Sequence, residues 1–123
     1  MTQPSLVILY VDNPQASAAF YAELLQRAPV ESSPTFAMFV LESGMKFGLW
    51  ARHTVEPVTH TAGSGGEMAF EVTDADAVRA LHAAWKERGL PIVQAPVDMD
   101  FGHTFVALDP DGHRLRVYAR TVA

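Results

Sequence analysis

The chain contains no cysteine. Disulfide staples, thiolate nucleophiles, thiolate zinc sites and iron–sulfur ligation are therefore closed to it, and a cysteine-free chain fits a reducing compartment. Positive charge is scarce: 9 Lys and Arg against 14 Asp and Glu give a formal net charge of −5. No segment gathers Lys or Arg into the basic stripe that nucleic acid requires, so nucleic acid is not an expected partner. Long apolar runs are missing too, since no stretch approaches the ~20 residues needed to cross a bilayer. Met1-Thr2-Gln3-Pro4 has neither the basic cluster nor the apolar run of a signal peptide. A soluble, cytoplasmic protein without membrane contact is expected. There is also no Gly-x-Ser-x-Gly elbow, phosphate loop or dinucleotide fingerprint. Gly63-Ser64-Gly65-Gly66 is glycine-rich but precedes a strand, which makes it a linker.

What is present suffices for a core. The 123 residues are 49% hydrophobic and 19% charged, the composition of one globular domain. Ser5 to Val11 reads as a strand. Asn13 then offers an N-cap and Pro14 a first helical residue that needs no N–H. A helix is expected from Pro14 to about Gln26, with Ala16, Ala19, Phe20 and Leu24 along one face. Pro29 and Ser32-Ser33-Pro34 break the chain. Thr35–Leu41 and Met45–Arg52 read as strands joined by Glu42-Ser43-Gly44.

After a loop texture over residues 53–66, the pattern restarts. Glu67–Val72 alternates, with Met68, Phe70 and Val72 apolar. Asp74 caps a helix from Ala75 to about Arg88, with Val78, Leu81 and Trp85 at helical spacing and Gly89 at its stop. Pro91–Val97, Thr104–Leu108 and His113–Tyr118 complete the set. The last two are strands around Asp109-Pro110-Asp111-Gly112, which suits a type I turn. Strand–helix–three-strands thus occurs twice, with an apparent offset of 62 from Ser5 to Glu67 and from Asp12 to Asp74. Residues 4–52 form module one, 53–66 the linker and 67–120 module two of a single domain spanning 1–123.

Three stretches carry a resemblance: Tyr10-Val11-Asp12-Asn13; Phe20-Tyr21 with Leu24-Leu25; and Phe105-Val106-Ala107-Leu108-Asp109-Pro110-Asp111-Gly112-His113. They resemble the vicinal oxygen chelate superfamily of glyoxalases, extradiol dioxygenases and bleomycin-resistance proteins, over nearly the whole chain. Phe20-Tyr21, the strand ending in Trp50, and Phe101-Gly102-His103-Thr104-Phe105 are similar to phenazine-antibiotic resistance proteins. The resemblance implies an α+β fold of tandem βαβββ modules. Its eight strands would make a U-shaped mixed sheet, with helices on the convex side. It also implies pairing as a homodimer.

Enzymes of the superfamily mostly hold a divalent metal with His, Gln and Glu on cavity-facing strands, and such a metal needs three ligands and an open position. The corresponding positions read as Ser5, Glu67, Arg116, and a fourth near Leu49 or Trp50. Only Glu67 is a donor, and a guanidinium has no lone pair to give. No metal or cofactor is expected. His53, His60, His82, His103 and His113 show no i, i+4 metal spacing. His103 stands beside the expected cavity mouth.

The candidate ligand-binding residues follow. Trp50 either stacks on a planar ligand, as the resemblance implies, or is core; Gly48, on the same strand face, would leave room beside it. Arg114, Arg116 and Tyr118 share a face of the last strand. An arginine there either pairs with a ligand carboxylate or forms an internal salt bridge to Glu67 or Glu71. Phe36, Met38, Phe101, His103 and Glu67 are further contacts, and Met38 with Met99 could supply an adaptable wall. Trp85 is structural.

The expected function is metal-free sequestration of a planar aromatic small molecule, in the manner of phenazine or bleomycin resistance, with no catalytic residue. The alternative is a metal-dependent glyoxalase-like lyase or isomerase, or a dioxygenase, using Glu67, Glu71 and His103. A regulatory binding module is a third reading.

Overall fold

Asn13 and Asp74 start the two helices as their side chains predict. Asn13 Oδ1 accepts from the Gln15 and Ala16 N–H groups at 3.1 Å each, and Asp74 Oδ1 accepts from Ala77 N–H at 2.8 Å. Each cap satisfies backbone donors that the first helical turn leaves unpaired. The computed structural model describes residues 2–59 and 65–121. His60 and the Gly63-Ser64 pair of the expected linker lie outside these residues. The chain divides into two compact units, Met1–Gly63 and Ser64–Ala123. The strands form two mixed four-stranded sheets.

The first unit runs β1 (Leu6–Val11), α1 (Pro14–Leu25), β2 (Glu31–Ser32), β3 (Phe36–Val40) and β4 (Lys46–Ala51). Its sheet order is β1-β4-β3-β2, with β1 parallel to β4. A short 3₁₀ turn, Arg52–Thr54, follows β4. β2 is only two residues long because Ser33 turns the chain, its Oγ accepting from Phe36 N–H at 3.1 Å. The buried stripe of α1 is Pro14, Ser17, Ala18 and Tyr21. Ala16 and Ala19 are exposed and Phe20 and Leu24 half-buried, which corrects the face expected above. Tyr21 meets Phe47 edge-on at 4.8 Å, over a core that includes Ala37, Phe39, Leu49 and Ala51.

The second unit runs β5 (Glu67–Glu71), α2 (Ala75–Glu87), β6 (Ile92–Met99), β7 (Gly102–Leu108) and β8 (Arg114–Arg120), in the order β5-β8-β7-β6. Val78 and Trp85 of α2 are buried as their spacing predicts. The Trp85 ring lies edge-on to Phe70 at 5.9 Å and to Phe105 at 5.4 Å. β6 carries Pro96 and two register shifts against β7, which an edge strand tolerates.

The hairpins show the repeat most plainly. Leu41 N–H bonds to Met45 O, and Gly44 N–H to Leu41 O; Asp109 N–H bonds to His113 O, and Gly112 N–H to Asp109 O. Each turn ends on a glycine of positive φ, 92° and 85°, where a Cβ would be strained. By these turns Lys46 corresponds to Arg114 and Gly48 to Arg116. The helix caps set Asn13 against Asp74, and hence Leu6 against Glu67, an offset of 61 rather than 62. No helix among the described residues is long and apolar enough to cross a membrane.

Candidate functional site

Each sheet has one face against its helix and one turned away. Strand alternation assigns the residues. In the first unit Phe47, Leu49 and Ala51 of β4 are buried on the helix side. The other face carries Leu6, Ile8 and Tyr10 of β1, Phe36 and Met38 of β3, and Gly48 and Trp50 of β4. The pairing register places Tyr10 and Phe36 on either side of Trp50, and Ile8 and Met38 on either side of Gly48. Trp50 is half-buried and lies edge-on to Tyr10 at 6.2 Å. A Cβ on Gly48 would stand 3.0 Å from Cζ of Phe36, so the missing side chain is what lets the Phe36 ring lie across the strand. Leu6, Ile8 and Tyr10 are 37–39% exposed. This face therefore leaves large apolar and aromatic groups uncovered.

The same face of the second unit is charged. Arg116 Nε donates to Glu67 Oε1 at 2.7 Å and its Nη2 to Oε2 at 2.9 Å. Nη1 donates to Gln94 Oε1 at 3.3 Å and to Thr104 Oγ1 at 3.2 Å. Thr104 is buried, and its own hydroxyl donates to Val117 O at 2.8 Å. Of the internal salt bridge and the ligand contact weighed for this arginine, the first is made. Arg114 stands farther off, 4.0 Å from Glu67, with 58% of its side chain exposed. The Arg116 hydrogen bond, with the charges of Arg116 and Arg114, holds the Glu67 carboxyl below its ordinary range against the opposing effect of burial. Arg120 is paired with Glu71 at 2.6 Å.

Phe101 joins this face from the turn before β7. Its ring lies 5.7 Å from the Arg116 guanidinium carbon and edge-on to Tyr118 at 6.0 Å. Gly102 makes that position reachable: at φ 151°, a Cβ there would fall 1.9 Å from Ala119 O. Phe101, Tyr118, Arg116, Arg120 and Ala69, with Asp100 and Thr121, line a shallow cavity of about 550 Å³. Met99 is 43% exposed, and Gln94 Nε2 approaches its sulfur at 3.8 Å.

His103 lies elsewhere. Strand alternation sets it on the helix side of β7, with Phe105 and Ala107. Its Nδ1 meets Asp98 Oδ1 at 2.7 Å, while Nε2 is buried without a partner. It does not reach the charged face, because one residue of phase separates it from Thr104.

The positions that the family likeness marks for donors become Leu6, Glu67, Gly48 and Arg116, in place of Ser5 and of Leu49 or Trp50. Glu67 is the one carboxylate among them, and Arg116 holds both its oxygens. Among the described residues no three His, Cys, Asp or Glu side chains are grouped to hold a metal ion. This donor set does not fit a divalent cation. Sequence reading passed over Ile8 and Tyr10, although β1 is apolar on both of its faces, a signal that neither face is simply solvated. It also passed over Ala69 and Arg120.

The sequence pattern of the Glyoxalase/Bleomycin resistance protein/Dioxygenase superfamily matches residues 3–117. The chain belongs to this superfamily. It is 29% identical, over 117 residues that make up 93% of this chain and 89% of the other, to the phenazine antibiotic resistance protein EhpR of Enterobacter agglomerans. The solution NMR structure of protein ATC0852 from Agrobacterium tumefaciens is 56% identical, with a TM-score of 0.91, covering 99% of this chain and 100% of that one. A glyoxalase-related enzyme from Fulvimarina pelagi, 22% identical, shares the fold at a TM-score of 0.84 over 98% of this chain and 89% of its own.

Proposed function

We propose that the protein binds a planar aromatic small molecule against the Trp50 face of its first sheet and withholds it from solution, as a phenazine- or bleomycin-type resistance protein would. The observation that carries this reading is the group of exposed Leu6, Ile8 and Tyr10 beside half-buried Phe36 and Trp50, on a face where Gly48 has no side chain to displace the Phe36 ring. An exposed apolar patch of this kind marks a binding surface. Flat rings gain a large contact area there at low cost in side-chain entropy. The likeness to a phenazine antibiotic resistance protein supports the ligand class. Sequestration needs affinity and stoichiometry only, so no metal or catalytic group enters the proposal. Cytoplasmic location and a homodimer belong to the same reading.

The two tryptophans make the test clean. Trp85 is 5% exposed inside the second core, whereas Trp50 is half-buried on the proposed surface. Titration with phenazine is expected to quench the emission of Trp50, and Trp50→Ala to abolish both that quenching and most of the binding. Quenching that persists unchanged in Trp50→Ala would refute the reading.

A further inference from the structure

We propose that Glu67 is a charge lock: it makes the Phe101–Tyr118–Arg116 cavity of the second unit favour uncharged flat rings over aromatic carboxylates. The proposal rests on the reading that the chain binds flat aromatic molecules, and it adds which of them the cavity of the second unit admits. A guanidinium facing an aromatic pocket is ordinarily an anion hook, with five N–H donors in a fork. Arg116 has four of its five N–H groups already committed, two to Glu67 and one each to Gln94 and Thr104. Its charge is met at 2.7 Å by a carboxylate bound through both oxygens. What remains for a ligand is the flat guanidinium face beside the Phe101 ring, on which a flat ring can stack.

The surrounding charges give a carboxylate no better welcome. Arg120 is paired with Glu71, and Asp100 stands in the cavity lining. Around the cavity, three guanidiniums (Arg114, Arg116, Arg120) therefore face three carboxylates (Glu67, Glu71, Asp100). To take the fork of Arg116, an incoming carboxylate would have to displace Glu67, leaving that group unpaired beside a second anion. The lock also accounts for a carboxylate in a site whose neighbours are aromatic. Its partner is the chain's own arginine.

The test compares phenazine with phenazine-1-carboxylate by isothermal titration calorimetry near neutral pH, in a Trp50→Ala background that removes the surface of the first unit, so that the cavity of the second is read by itself. That background protein is expected to bind phenazine weakly, and more tightly than the carboxylate. Glu67→Gln added to it keeps the side-chain shape but frees the charge and one or more donors of Arg116. It should raise affinity for the carboxylate about tenfold, while phenazine changes less than about twofold. Adding Arg116→Gln restores neutrality and should return the ratio to its starting side. A background protein that prefers the carboxylate overturns the proposal, and so does a preference that Glu67→Gln leaves unmoved. If the background protein binds neither compound while the wild-type protein binds phenazine, the lock is overturned and the reading of the first unit stands; if the wild-type protein binds neither, both fall.

Discussion

The two units share one chain path and differ in what they show on one face. On the helix side both carry apolar residues: Phe47, Leu49 and Ala51 in the first, Leu115, Val117 and Ala119 in the second. On the other side the first unit places Leu6, Ile8, Gly48 and Trp50, where the second places Glu67, Ala69, Arg116 and Tyr118. A helix must be covered, so that side is constrained in both. The face turned away has no such duty and has diverged into an aromatic surface and a charge network. Position by position, the backbone of Gly48 stands where the most heavily bonded guanidinium of the second unit stands.

The largest expected effects lie on the constrained side. Phe47→Ala and Phe105→Ala should each cost about 3–5 kcal/mol of stability, read from urea unfolding, with little to choose between the units. Trp50→Ala, on the diverged side, should lose binding while costing much less stability. A Trp50→Ala protein as unstable as Phe47→Ala would make Trp50 a core residue and erase the contrast.

A middling effect is expected at Gly48. Gly48→Ala sets a methyl 3.0 Å from the end of the Phe36 ring. The ring must shift, at about 1 kcal/mol, and phenazine affinity should fall with it. Unchanged affinity would show that the bare backbone at this position has nothing to do with the ligand.

The smallest effect concerns pH. The Glu67 carboxyl is held below the ordinary value of 4.5 by Arg116. A carboxyl depressed on folding contributes stability that is fully present above its unfolded value and is lost as pH falls through its folded one. The stability gap between wild-type and Glu67→Gln proteins should thus be constant near neutrality and narrow below about pH 4.5. A gap that stays constant through the acid limb would mean that the ion pair contributes nothing.

How much of this could be read from residues alone follows from how strongly each segment is patterned. The second helix was legible because Val78, Leu81 and Trp85 stand among charged neighbours, so only one phase buries them. The first helix, Pro14–Leu25, is rich in alanine around its circumference. Two phases are then nearly equivalent, and the tertiary contact of Tyr21 with Phe47 decides between them. The caps at Asn13 and Asp74 are each legible, yet matching Asp12 to Asp74 sets the repeat one residue out. That single step puts the first donor position at Ser5 instead of Leu6; the fourth, near Leu49 or Trp50 in the sequence, becomes Gly48 only when the two hairpins are aligned with each other. Arg116 was placed on the right face by alternation, but its choice of Glu67 needed the parallel pairing of β5 with β8. His103 stands apart from that face for the complementary reason. It lies next to Phe101 and Gly102 in sequence, but the strand that begins there turns it to the other side.

The outermost strands next to β3 and β7 have a consequence for crowded solutions. A sheet edge with a long, regular row of free amides and carbonyls invites another chain to extend it. Here one such border is two residues long, and the other is interrupted by Pro96 and by two slips of pairing. A strand arriving from a neighbouring molecule would find too short a ladder on the first and a broken one on the second. On that side neither sheet offers a template for fibril-like growth, although the chain is nearly half apolar.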